Sequence, residues 1–232
     1  MRVRSLFIAA ILVVVANANY AGRSPVKDAD CLSPVDPYPG DWHVRYTDQL
    51  RRRLEPPLHT FAQMLVMPAF EGECSVSLHG ASQDLEFAQA SKYFLSYYVA
   101  EKNIWYSMPE NNEEKKQRDV SVSVTTVEFP SELARRVYGI WRSMLLRTRY
   151  FEDTSVRVDA TKVEFSSAGM YGDTYEPPEA ESPAYLIELG RRLADYCKAP
   201  PDKRAAAAKS IEIQAKALER YLKTHPPRRG SN

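Results

Sequence analysis

Three short segments in the first half of the chain limit its fold more than any other feature. Glu73 to His79 alternates, with Cys74, Val76 and Leu78 on one side. Ser91 to Tyr106 is rich in aromatic residues, and Val120 to Phe129 sets Val120, Val122 and Val124 opposite serines. A period of two is the signature of a strand. Consecutive strands with short links predict an antiparallel meander. Between the last two, Pro109 to Lys116 reads as a solvated loop or hairpin tip.

Helical spacing surrounds these strands. Asp41 is placed to cap a helix from Trp42 to about Glu55, ended by Pro56-Pro57. Phe61 to Met67 is largely apolar, fits helix or strand, and is stopped by Pro68. Pro130 opens a helix whose stripe is Leu133, Val137, Ile140/Trp141, Met144 and Leu145, with arginines crowding the rest. Val156 to Phe165 reads as a fourth strand and Met170 to Tyr175 as a fifth. Pro183 opens a helix carrying Leu186, Leu189, Leu193 and Tyr196. Ala199-Pro200-Pro201 is a hinge before an Ala-rich helix, Lys203 to about Lys223, whose narrow stripe of Ile211, Ala215, Leu218 and Leu222 fits either light docking or a partner. The expected fold is α+β: an antiparallel sheet of four to five strands, with the helices near 131–149 and 183–197 on one face and the first helix capping one end.

The N-terminus has a secretory pattern. Arg2 and Arg4 precede the apolar run Leu6 to Val15, and Ala16-Asn17-Ala18 offers a cleavage site. The run is about half the length needed to span a bilayer, and no later stretch is long or apolar enough. The chain therefore divides into a signal over 1–18, an extended Pro-rich arm over 19–40, an α+β domain over 41–198, and a hinge, helix and tail over 199–232. An exported, periplasmic or secreted protein is expected.

Charge narrows the partners. The whole chain holds 31 basic and 30 acidic side chains, and loss of Arg2 and Arg4 leaves the two signs nearly balanced. No field of one sign exists to attract nucleic acid or anionic lipid. Cys31, Cys74 and Cys197 permit one disulfide in an oxidising compartment. Cys31 with Cys197 is the favoured pair, because both sit at element ends and Cys74 reads as a core residue.

Motifs for chemistry are mostly missing. No nucleophile elbow, His-Glu-x-x-His, phosphate loop or dinucleotide fingerprint occurs. Cysteine and histidine spacings fit no metal site, and no cofactor is implied. Cys74 with His79 is the one nucleophile–base candidate, but five positions along a strand put them on opposite faces. Glu71/Glu73, Glu113/Glu114, Asp159/Glu164 and Glu176/Glu179/Glu181 could pair as acid and base, at a density ordinary for a surface.

Aromatic residues are the densest unusual feature. Trp105, Tyr106 and Met108 end the longest predicted strand, and Tyr171 and Tyr175 lie in a predicted neighbouring hairpin. If both segments meet at one end of the sheet, they form a patch suited to a protein partner. The competing reading is that the rings fill the core.

The run Asn103 to Asn112, the helix end Trp141 to Leu146, and Val158 to Thr161 with Phe165-Ser166 and Tyr171 to Thr174 resemble exported bacterial proteins of unknown function, over about residues 42–198. The resemblance implies a bacterial envelope setting and brings no activity or catalytic residue. The leading expectation is a non-enzymatic periplasmic protein-binding domain of inhibitor, immunity or accessory type. A carboxylate hydrolase of an envelope polymer and a structural envelope protein are the alternatives.

Overall fold

The computed structural model describes residues 30–35, 41–56, 59–81, 86–149, 159–176 and 181–226. The signal segment, most of the arm, the side chain of Asp41, positions 156–158 and the tail beyond 226 lie outside the described residues. In order, the elements are α1 (Asp41–Leu54), β1 (Thr60–Met67), β2 (Cys74–Gly80), β3 (Tyr93–Ala100), β4 (Val122–Phe129), α2 (Ser131–Leu145), β5 (Thr161–Ser167), β6 (Met170–Glu176), α3 (Glu181–Lys198) and α4 (Arg204–Thr224).

The fold is α+β around one antiparallel sheet. It has six strands rather than four to five, in the order β4-β3-β2-β1-β5-β6. The added strand is the Phe61–Met67 run, which is apolar except for Gln63 because helices on both sides of the sheet bury both of its faces. Strands β1 to β4 form the expected meander. The chain then crosses the sheet through α2 and adds β5 beside β1.

Helices α2 and α3 cover one face. The predicted stripe of α2 is wholly buried, with Trp141 edge-on to Phe165 at 5.4 Å between centroids. Helix α3 buries Leu186, Leu189, Leu193 and Tyr196, the last packed edge-on to Phe129. Helix α4 lies over both helices with Ile211, Ala215, Leu218 and Leu222 buried. Arg147 of the α2–β5 link donates to the carbonyls of Leu222 and His225, each at 2.8 Å, satisfying the end of α4.

Helix α1 does not cap an end of the sheet; it lies on the opposite face. Tyr46, Leu50 and Leu54 form a second, smaller core with Leu65, Met67, Tyr98, Ala100, Ile104 and Met108. This explains why the polar side of β2 is buried instead of wet. Ser75 donates to the Leu54 carbonyl at the end of α1, and Gln63 donates to the same oxygen at 3.3 Å. Sheet hydroxyl and amide groups thus pair with a helix terminus that would otherwise lack partners.

Part of the predicted arm is fixed. Ser33 pairs with Asp173 on the outer edge of β6 through two main-chain bonds of 2.9 and 2.7 Å. Asp30 caps α3 through the Ser182 N–H at 2.7 Å and accepts the Tyr221 hydroxyl of α4 at 2.8 Å. One short segment therefore ties β6, α3 and α4 together.

Candidate functional site

The most organised surface lies at the end of the sheet where β1 turns into β2 and β3 leaves for β4. Glu73 is fully buried there. Its carboxylate accepts the Tyr46 hydroxyl at 2.7 Å, the Ile104 N–H at 2.7 Å and the Trp105 N–H at 3.3 Å. Burial first, then the Glu73 charge and hydrogen bond, push the Tyr46 phenol well above its usual range, so it stays a donor. A buried carboxylate with three donors is satisfied without a cation.

The same loop is tied at several other points. The Asn103 amide donates to the carbonyls of Pro68 at 3.2 Å and Glu71 at 2.9 Å, joining the β1–β2 turn to the β3–β4 loop. The Asn112 amide reaches the carbonyls of Met108 at 2.6 Å, Lys116 at 2.8 Å and Ser107 at 3.3 Å. Pro109 to Lys116 is therefore not a simple solvated tip, since Asn112 is buried and organises it. Gly72 is required by close approach: a Cβ there would lie 2.1 Å from the Ala100 carbonyl oxygen.

Two aromatic side chains project from this locked frame. Phe70, in the β1–β2 turn, is 67% exposed, and Tyr106, in the loop, is 43% exposed. Trp105, next to Tyr106 in the chain, is half-buried and edge-on to Tyr46 at 5.2 Å. Met108 is buried in the second core. Phe70 escapes a reading by periodicity, but its position in Pro68-Ala69-Phe70-Glu71-Gly72, a turn with no core to enter, is a recognisable signal.

Tyr171 and Tyr175 do not join them. They lie on β6, four strands from β3, which is about 19 Å at normal strand spacing. Tyr171 is exposed, with the Arg51 guanidinium 5.7 Å from its ring centre. Tyr175 is half-buried, opposite Lys162 of β5.

Three other clusters carry chemistry-bearing groups. On β5 and β6, Glu164 stands directly opposite Asp173, a pairing that the predicted Asp159/Glu164 set did not contain. Burial pushes the Glu164 carboxyl up, while Asp173 is engaged by Lys162 at 2.8 Å. On β2 and β3, His79 donates from Nδ1 to the Gly80 carbonyl at 2.9 Å, which leaves Nε2 to accept the Ser96 hydroxyl at 2.9 Å. This has the connectivity of a nucleophile with an oriented base. Both residues are nearly sealed, and Ser96 is further bonded to Thr126 at 2.7 Å, so the chain of groups serves packing. Cys74 faces neither His79 nor solvent fully. It lines a cleft of about 350 Å³ with Tyr97, Asp195 and Lys198. Burial raises the Cys74 thiol against the opposing pull of Tyr97 and Lys198, the reverse of an activated cysteine.

No disulfide forms: all three cysteines are free. The expected Cys31–Cys197 pair fails on geometry. Cys31 follows Asp30, which caps the start of α3 at Ser182, and Cys197 sits at the other end of that helix. That separation is about 22 Å at helical rise, against the roughly 7 Å limit between bridged Cα atoms. Burial raises the Cys197 thiol to about 12. Among the described residues no cluster of His, Cys, Asp and Glu could hold a metal ion, and no helix is long and apolar enough to cross a membrane.

No protein-family model, curated protein or solved structure matches the chain.

Proposed function

We propose that this is an exported binding domain that docks another envelope protein through the loop-capped end of its sheet, as an inhibitor, immunity-type or accessory protein. The observation that carries this reading is the frame around Glu73. A buried carboxylate and two buried or half-buried asparagine amides fix two loops, and those loops hold Phe70 and Tyr106 outward. Aromatic anchors on a backbone already fixed by folding bind at a lower entropic cost than the same side chains on loose loops. The N-terminal secretory pattern, Arg2 and Arg4 before the apolar run Leu6 to Val15, supports an envelope setting.

The test is crosslinking of the tagged mature protein in its host's envelope, with wild type compared against Phe70→Ala/Tyr106→Ala. Both side chains are exposed, so thermal unfolding should stay within about 0.5 kcal/mol of wild type. Capture of one dominant partner at near-equal stoichiometry should be lost in the variant. Equal capture by both proteins would end this assignment.

A further inference from the structure

The two edges of the sheet are treated differently. On β6 the outer edge is occupied by Ser33, bonded both ways to Asp173. On the far side β4 pairs with β3 alone among the described residues. Four consecutive residues of β4, Ser123 to Thr126, are exposed, and Val124 is 51% exposed.

Natural edge strands are blunted by lysine, proline, bulges or a covering element, because open N–H and C=O groups recruit other strands. Among the described residues none of these covers Val122 to Thr126, although the Tyr196 hydroxyl takes the outward Glu128 carbonyl at 3.2 Å. Val122 to Val127 reads Val-Ser-Val-Thr-Thr-Val, entirely uncharged and mostly β-branched, and its register with β3 is unbroken. The direction of its free groups follows from the ladder. The Ser121 carbonyl accepts the Glu101 N–H at 2.9 Å, so odd-numbered residues face β3. The main-chain groups of Val122, Val124 and Thr126 therefore point outward.

We infer that β4 pairs antiparallel with β4 of a second copy, about a two-fold axis at Val124. In that register Val124 exchanges both main-chain bonds with its own counterpart. Val122 stands opposite Thr126 and Ser123 opposite Thr125. No charge faces a like charge, and Glu128 falls opposite Val120. A second copy therefore meets this edge with no like-charge clash and with β-branched residues facing hydroxyl-bearing ones. Because Ser33 occupies the β6 edge, growth stops at two: a closed dimer forms and not a fibre.

Sedimentation equilibrium of the mature chain tests this at concentrations up to about 100 µM, the range suited to a strand-pair contact of modest area. Twice the monomer mass is expected at the upper end. Val124→Lys sets two ammonium groups opposite each other on the axis and should weaken association at least about tenfold. Val124→Pro removes an outward N–H without touching the β3 ladder and should act the same way if the lysine variant folds poorly. In a third variant, Val124→Cys, a short bis-maleimide should link two copies, with the wild-type chain and its own thiols as the blank. A chain that stays monomeric throughout, or a dimer indifferent to both Val124→Lys and Val124→Pro, overturns the proposal.

Discussion

Replacing Glu73 by alanine removes the acceptor shared by three donors. The Tyr46 hydroxyl and the Ile104 N–H, each 2.7 Å from the carboxylate, lose their bonds in a buried setting. The Trp105 N–H loses a longer bond of 3.3 Å. An orphaned buried donor costs roughly 1–3 kcal/mol, so the two short bonds and the weaker third add to about 3–5 kcal/mol. Removing a buried charge that lacks a cation returns part of this, which places the expected loss near 3 kcal/mol. Glu73→Gln keeps one acceptor oxygen but turns an amide toward the donors, for about 1.5–3 kcal/mol. Tyr46→Phe deletes a donor and leaves the carboxylate its two N–H groups, for about 1 kcal/mol. Urea unfolding should rank the variants in that order. Amide exchange should accelerate at Ile104 and Trp105 while the centre of the sheet keeps its protection. If Glu73→Ala lies within about 1 kcal/mol of wild type and both amides remain protected, the carboxylate does not hold the loop.

Two further perturbations probe other parts of the fold. Asp30→Ala deletes both the α3 cap and the Tyr221 hydrogen bond, so a loss of about 1–2 kcal/mol and faster proteolytic removal of α4 are expected; an unchanged cleavage rate would mean the arm does not fasten that helix. Burial lowers the pKa of His79 below 6.5, so an unfolded chain takes up that proton first, and the stability it contributes is present above pH 6.5 and lost as pH falls. The raised carboxyls of Glu164 and Glu55 act with the opposite sign, native protein taking the proton first as pH falls toward 4.5. They are common to wild type and His79→Asn. The difference between the two urea midpoints should therefore shift against wild type from pH 7 to pH 5, and a constant difference would refute the assignment.

Legibility in the sequence followed burial on one side. Helix α2 could be read from Leu133, Val137, Ile140 and Met144 because one face is dry and the other wet. Strand β2 was legible as a strand but not in its environment. Ser75, Ser77 and His79 look like a solvent side until α1 is placed over them. Strand β1 lost its period for the related reason that both its faces are buried. Trp105 and Tyr106 stand out in the sequence, yet Tyr171 and Tyr175, expected beside them, belong to the far side of the sheet, because α2 carries the chain across before β5 begins. Strand order is a long-range property that local pattern does not carry. Glu73, which organises the site, looks like any surface acid before a strand. Only the convergence of Tyr46, Ile104 and Trp105 on its oxygens distinguishes it.

The loop-capped end and the β4 edge are compatible in space. Antiparallel pairing of β4 about a two-fold axis reverses one copy relative to the other. The Phe70 and Tyr106 loops of the two copies then lie at opposite ends of the shared sheet, and neither blocks the other. A dimer would present two equivalent anchors pointing away from each other, so one partner molecule could not engage both unless it were long. Val124→Lys should consequently leave the first binding event intact while halving the number of partners held per particle. Phe70→Ala/Tyr106→Ala should abolish capture and leave the sedimenting mass unchanged. If a single substitution removed both properties, the partner would have to be bound across the β4 edge itself, and the loop-capped end would lose its claim to be the docking surface.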